Sequence, residues 1–153
     1  MYKKILLPTD GSKNAEKAGK HALWLANVSG ADIIVLNVFE LYYPRVAVLP
    51  LSMTPGDNEK LFEPLMEEGK ALTNNFIKRL EKTREESNFN KTKIDCMVKE
   101  GRPHEVILNT IKDENIDLVV MGASGRHGLD RITLGSVTER VVRTATSPVL
   151  VIN

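Results

Sequence analysis

Short apolar runs alternate with longer stretches of helical periodicity along the chain, and that alternation limits the fold more than any other feature. KILL, residues 4–7, precedes the turn Pro8-Thr9-Asp10-Gly11-Ser12. Ala15, Ala18, Ala22 and Leu25 then recur at helical spacing, and Gly30 stands where a helix would end. IIVLNV, residues 33–38, reads as a second buried strand. Leu61, Leu65, Leu72, Phe76 and Leu80 mark a long second helix with Pro64 near its start. Ile94, Cys96 and Val98 alternate with Asp95, Met97 and Lys99, as in a strand covered better on one face, which makes Cys96 a core thiol. Pro103 opens a third helix whose buried stripe is Val106, Ile107, Thr110 and Ile111. A fourth strand at 118–121, a fourth helix within 134–145 and a fifth strand at 149–152 complete the order.

Five strands this apolar need cover on both faces, and the intervening helices supply it in a doubly wound, all-parallel sheet. The predicted fold is therefore an open five-stranded α/β sheet, Rossmann-like, with helices on both faces. Right-handed crossovers leave few alternatives. The whole of 1–153 reads as one domain, since no repeat, low-complexity tract or boundary interrupts it. One connection is unusually long. Residues 40–63 hold Tyr42, Tyr43 and three prolines, with Pro64 at the edge, and the apolar stretch 46–51 favours a lid or subunit contact over a solvated excursion.

Composition narrows the partners. Net charge is +1 with lysine and glutamate interspersed, which suggests neither a nucleic-acid groove nor a membrane-binding face. No segment has the apolar length of a membrane span, and the opening MYKKILLPTDGS is too quickly polar for a signal peptide. A single cysteine fits a reducing cytoplasm. His21 and His104 lie in helical patterns without partners at metal-ligand spacing, and Trp24 lies on a helix face, packed or partly exposed. A small molecule, another protein or both are the expected partners.

In open α/β sheets ligands bind beyond the carboxyl ends of the strands, where the strand order reverses. Here that point falls between strands one and four, so the turn at 8–12 and the segment MGASGRHGLDRITLGS face one crevice. Gly122 and Gly125 permit close backbone approach or positive φ, and Gly135-Ser136 opens the fourth helix. That helix N-terminus offers unpaired amides and a partial positive charge to an anion. Ser136 can cap the helix, donate to a phosphate, or both. Arg126, His127 and Arg131 add cationic reach that suits a polyphosphate. A plain connector needs glycines and a serine cap too, so the pattern alone leaves both readings open. No Walker loop and no G-x-G-x-x-G fingerprint occurs, which argues against P-loop hydrolysis and nicotinamide or flavin chemistry.

Gly122-x2-Gly125-x9-Gly135-Ser136 resembles the ATP-binding signature of the universal stress protein family, G-2x-G-9x-G-[ST]. KKILLPTDGS, EGRPHEVI, DLVVMGASG, LGSVTERVV and SPVLVI are similar to that family's blocks, in the same order. The resemblance implies an ATP-binding cytoplasmic protein, with Mg²⁺ or Mn²⁺ at the phosphates, that forms a homodimer through the last strand, 148–152. It implies Pro8 and Thr9 lining the nucleoside pocket, Asp10 at the ribose or the metal, and Val38 against adenine. Met121, Gly122, Ala123, Ser124 and Gly125 would wrap the ribose and phosphates, with Arg126, His127 and Gly128 beside them. Gly135, Ser136, Val137 and Thr138 would hold the phosphates. Asp10 could instead cap the first helix, and Thr138 could face solvent. The expected role is a nucleotide-dependent switch in a stress response, acting on an unidentified protein partner. A slow ATPase or related ATP-using enzyme, and a dimeric interaction module with incidental nucleotide, are the alternatives.

Overall fold

The computed structural model describes residues 2–41, 57–89, 92–124 and 134–153. Gly125, Arg126, His127, Gly128 and Arg131 lie outside them, as does the 42–56 part of the long connection with its apolar stretch. The elements run β1 (Lys4–Pro8), α1 (Lys13–Ser29), β2 (Asp32–Phe39), α2 (Asp57–Glu86), β3 (Ile94–Glu100), α3 (Pro103–Asp113), β4 (Leu118–Gly122), α4 (Ser136–Thr144) and β5 (Val149–Ile152). The strands form one sheet in the order β3-β2-β1-β4-β5, and every neighbouring pair is parallel. The order reverses between β1 and β4, as the alternation implied.

Strand alternation splits the core between the two faces. Ile5, Leu7, Ile33, Val35 and Val120 pack with Ala18, Ala22 and Leu23 of α1 and Phe76 and Leu80 of α2. Leu6, Ile34, Leu36, Val119 and Met121 face the other way, against Ile107 and Ile111 of α3 and Val141 of α4. Full burial of each such Leu or Ile contributes roughly 1.5–3 kcal/mol relative to exposure. The small residues of α1 bring its axis close to the sheet. Gly30 ends that helix at φ 74°, a left-handed conformation that glycine adopts without strain.

Two expectations need correction. Helix α2 begins at Asp57, so Pro64 lies inside it rather than near its start, and 57–63 belong to helix instead of loop. Proline there deletes one helix hydrogen bond, and packing of the later turns through Phe76 and Leu80 outweighs that local cost. Cys96 is exposed, not a core thiol. β3 is an outer strand flanked by β2 alone, so alternation there does not enforce burial. Partial desolvation still holds the thiol above its ordinary pKa, against a hydrogen bond from Thr73 that pulls it down. The protonated form is a weak nucleophile.

Candidate functional site

The carboxyl ends of β1, β2 and β4 open into a cavity of about 600 Å³, in the range that small-molecule ligands occupy. Its first wall is the turn after β1. Thr9 N donates to Leu36 O (2.8 Å), and Asn37 Nδ2 donates to Thr9 O (2.9 Å), so the turn is held to β2 at both backbone atoms. Gly11 N donates to Thr9 Oγ1 (3.1 Å) and Ser12 N to Asp10 Oδ1 (3.0 Å). Ser12 Oγ accepts from Ala15 N (3.2 Å), which makes Ser12 the cap of α1. The capping alternative for Asp10 is therefore taken by another residue. Asp10 itself lines the cavity.

The second wall joins the end of β4 to the start of α4. Ala123 N donates to Ile152 O (2.7 Å), and Ala123 O accepts from Gly135 N (2.8 Å). Thr138 is buried and its Oγ1 donates to Gly122 O (2.9 Å), so it does not face solvent. With its proton committed there, that hydroxyl can offer an incoming phosphate only lone pairs. Gly135 is the N-cap of α4 and makes no side-chain cap hydrogen bond. Ser136 stands one residue inside the helix rather than capping it. The leading amides of α4 thus meet the cavity without a side chain across them, and with the partial positive charge of a helix N-terminus.

Gly122 lines the cavity, and of the two uses expected of it positive φ is not the one it makes. A Cβ there would lie 2.9 Å from Asn14 Cβ and 3.0 Å from Asn14 C. The glycine lets α1 cross the end of β4, and that crossing brings the two walls together.

Of the residues singled out in the sequence, Pro8, Thr9, Asp10, Val38, Met121, Gly122, Ser124, Gly135, Ser136, Val137 and Thr138 line the cavity. Ala123 does not; both its backbone polar groups hold neighbouring elements. Sequence reasoning missed the contribution of α2, namely Leu65, Glu68, Gly69 and Leu72, and that of Asn37, Phe39, Pro103 and Ile107. Asn37 left a signal, since it is the polar residue in the apolar run IIVLNV. The α2 residues left none, because a helical stripe does not tell which stretch overhangs a strand end.

Among the described residues, Asp10 and Glu68 are the carboxylates on the wall. Among the described residues no group of three or more His, Cys, Asp or Glu side chains converges as a metal site would require. A single carboxylate suits a divalent cation that arrives with phosphate oxygens as its other ligands. No helix among the described residues is long and apolar enough to cross a membrane.

Known proteins share this fold. The universal stress protein family matches residues 1–153. Universal stress protein MJ0531 of Methanocaldococcus jannaschii is 38% identical across 99% of this chain and 82% of its own length. The solved structure of MJ0577 superposes with a TM-score of 0.80 at 35% identity, covering 99% of this chain and 96% of that one. An Arabidopsis thaliana protein of the family, solved with AMP bound, shares the fold at 21% identity and a TM-score of 0.60, over 98% of this chain and 90% of that one. The chain belongs to the universal stress protein family.

Proposed function

We propose that this chain binds ATP, with Mg²⁺ or Mn²⁺, in the cavity at the ends of β1, β2 and β4, and that occupancy makes it a nucleotide-dependent switch in a cytoplasmic stress response. The observation that carries the reading is the start of α4, which meets the cavity with no capping side chain and faces the Thr9-Asp10 turn. Backbone amides there suit phosphate oxygens. The apolar walls from Leu36, Val38 and Met121 suit a planar base. AMP in the Arabidopsis protein is an adenine nucleotide held by this fold.

In this reading Asp10 contributes one oxygen to the cation, whose chemistry is to neutralise phosphate charge. Ser136 adds a hydroxyl beside the amides, and Pro8 and Thr9 bound the nucleoside. Gly122, Ser124, Gly135, Val137 and Thr138 shape the phosphate end, and the glycine-loop residues from Gly125 to Gly128 are proposed contacts on the motif alone. The protein acts as a homodimer paired along β5.

Calorimetric titration of the purified chain with ATP and Mg²⁺ tests the reading. Binding in the micromolar range, lost in Gly135→Val and weakened in Asp10→Ala, is the expected result. Absence of binding, or binding indifferent to both substitutions, overturns it. Steady turnover abolished by Asp10→Ala with binding retained would assign an enzyme in place of a switch.

A further inference from the structure

Helix α1 presents six exposed residues to solvent: Lys13, Lys17, Lys20, His21, Trp24 and Val28. None is acidic. The helix holds one carboxylate, Glu16, and that is turned aside to Arg79 of α2 at 3.0 Å. Elsewhere several exposed charges are paired, as in Glu67 with Lys70, Arg102 with Glu105 and Glu139 with Arg143. Among the described residues no Asp or Glu side chain pairs with Lys13, Lys17 or Lys20, and Lys17 reaches only Asn153 O at 3.4 Å.

Position along the helix sharpens the pattern. Lys13, Lys17, Lys20, Trp24 and Val28 follow one another at steps of four, three, four and four residues. That spacing lays them in a single stripe, about 22 Å long at 1.5 Å per residue. The cationic end comes first and the apolar end last. Trp24 is 54% exposed and Val28 57% exposed, although each has an apolar body that burial would favour. Tryptophan flanked by charge is the composition of an interface anchor, and a four-three stripe is the seam that a second helix packs against.

We propose that the outer face of α1 docks an acidic amphipathic helix of another protein. Glutamates or aspartates of that helix meet Lys13, Lys17 and Lys20, and an apolar side chain covers Trp24 and Val28. A lipid surface fits less well. Two apolar side chains at one end of a helix whose opposite face is locked in the core cannot form the broad apolar face that lies in a bilayer interface. A seam this narrow buries less than a stable complex needs, so the contact is transient and its association depends on salt.

Trp24 is the chain's one tryptophan, so its fluorescence reports this face alone. The experiment selects a random peptide library on the full chain, with and without ATP, and counter-selects on Lys17→Glu/Lys20→Glu. Enriched peptides are expected to carry clustered Asp and Glu beside an apolar residue at helical spacing. A synthetic copy should shift Trp24 emission to the blue, bind about tenfold more weakly to the double variant, and weaken as salt is raised. Both lysines are exposed, so circular dichroism should show the variant folded; Lys17→Gln/Lys20→Gln replaces it if it does not. The proposal is overturned if nothing is enriched, or if the enriched peptides lack acidic clusters. It is overturned equally if vesicles of phosphatidylcholine with phosphatidylserine, duplex DNA, or the chain's own concentration move Trp24 while the peptides do not. Because the readout is independent of nucleotide, failure to bind ATP would leave this result standing.

Discussion

Asn14 on the first turn of α1 donates through Nδ2 to Ser124 Oγ (2.9 Å) and Ser124 O (3.2 Å), and so ties the turn after β1 to the loop after β4. These are the two sides of the crevice where the strand order reverses. The amide therefore sets the width of the cavity while touching neither of the helix N-terminal amides that face it. Asn14→Ala removes both bonds. Stability should fall by about 1 kcal/mol in urea denaturation, and ATP affinity should fall severalfold by calorimetry. Unchanged affinity would mean that the loop after β4 positions itself.

Gly122 lies beneath that contact, and a methyl group there meets Asn14 backbone at 3.0 Å and Ala15 N at 3.2 Å. Neither neighbour can rotate away, because both belong to the first turn of α1. Gly122→Ala should cost about 1–3 kcal/mol, with the denaturant slope unchanged. A variant as stable as the parent would show that α1 can shift freely.

Thr138 and Gly122 provide a second latch, from α4 to β4, at 2.9 Å. Thr138→Val keeps the shape and deletes the donor, leaving a half-buried carbonyl short of its partner. The expected loss is about 1–2 kcal/mol in thermal or urea melts, with Thr138→Ser retaining most of the stability. Equal losses in both variants would assign the effect to the methyl group.

Asp117 accepts from the amides of Lys3 (2.8 Å) and Lys4 (2.9 Å), and these bonds hold its carboxyl below the ordinary carboxylate range. A folded-state pKa below the unfolded value adds stability above the unfolded pKa, and that stability is lost as pH falls through the folded one. Asp117→Asn should therefore be less stable than the parent at neutral pH, by no more than about 1 kcal/mol for a solvent-accessible group. The gap should close below about pH 4. Urea melts across that range check it, and a gap that persists into acid would contradict the assignment.

The carbonyls of Pro148 and Ile152 accept from β4, so strand alternation turns the amides of Val149 and Val151 toward the open edge of β5. If copies pair along that edge, Val151→Pro deletes an intersubunit donor and spares the bond from Ala123 N to Ile152 O. Sedimentation should then show a folded monomer. A variant that stays dimeric would move the interface elsewhere. Removing residues 149–153 is the poorer test, because it takes away the partner of Ala123 as well.

Periodicity along the chain was enough for the order of elements, the parallel sheet, the reversal between β1 and β4, and the place of the crevice; the family resemblance named half of the residues that line it. Those features follow from short-range rules: apolar runs need two-sided cover, crossovers are right-handed, and both glycine-bearing turns leave the same edge of the sheet. What tertiary structure alone decided depends on which neighbour each side chain meets. Cys96 alternates like a core residue, yet its strand is an outer one, so it is exposed. Gly122 lines the cavity and is required as well by the passage of α1, which no local pattern announces. Thr138 could have faced solvent but donates to the end of β4. Leu65 and Leu72 looked like ordinary helix-core positions and overhang the cavity. Local pattern sets which face of an element is apolar, and only packing in three dimensions sets what that face touches.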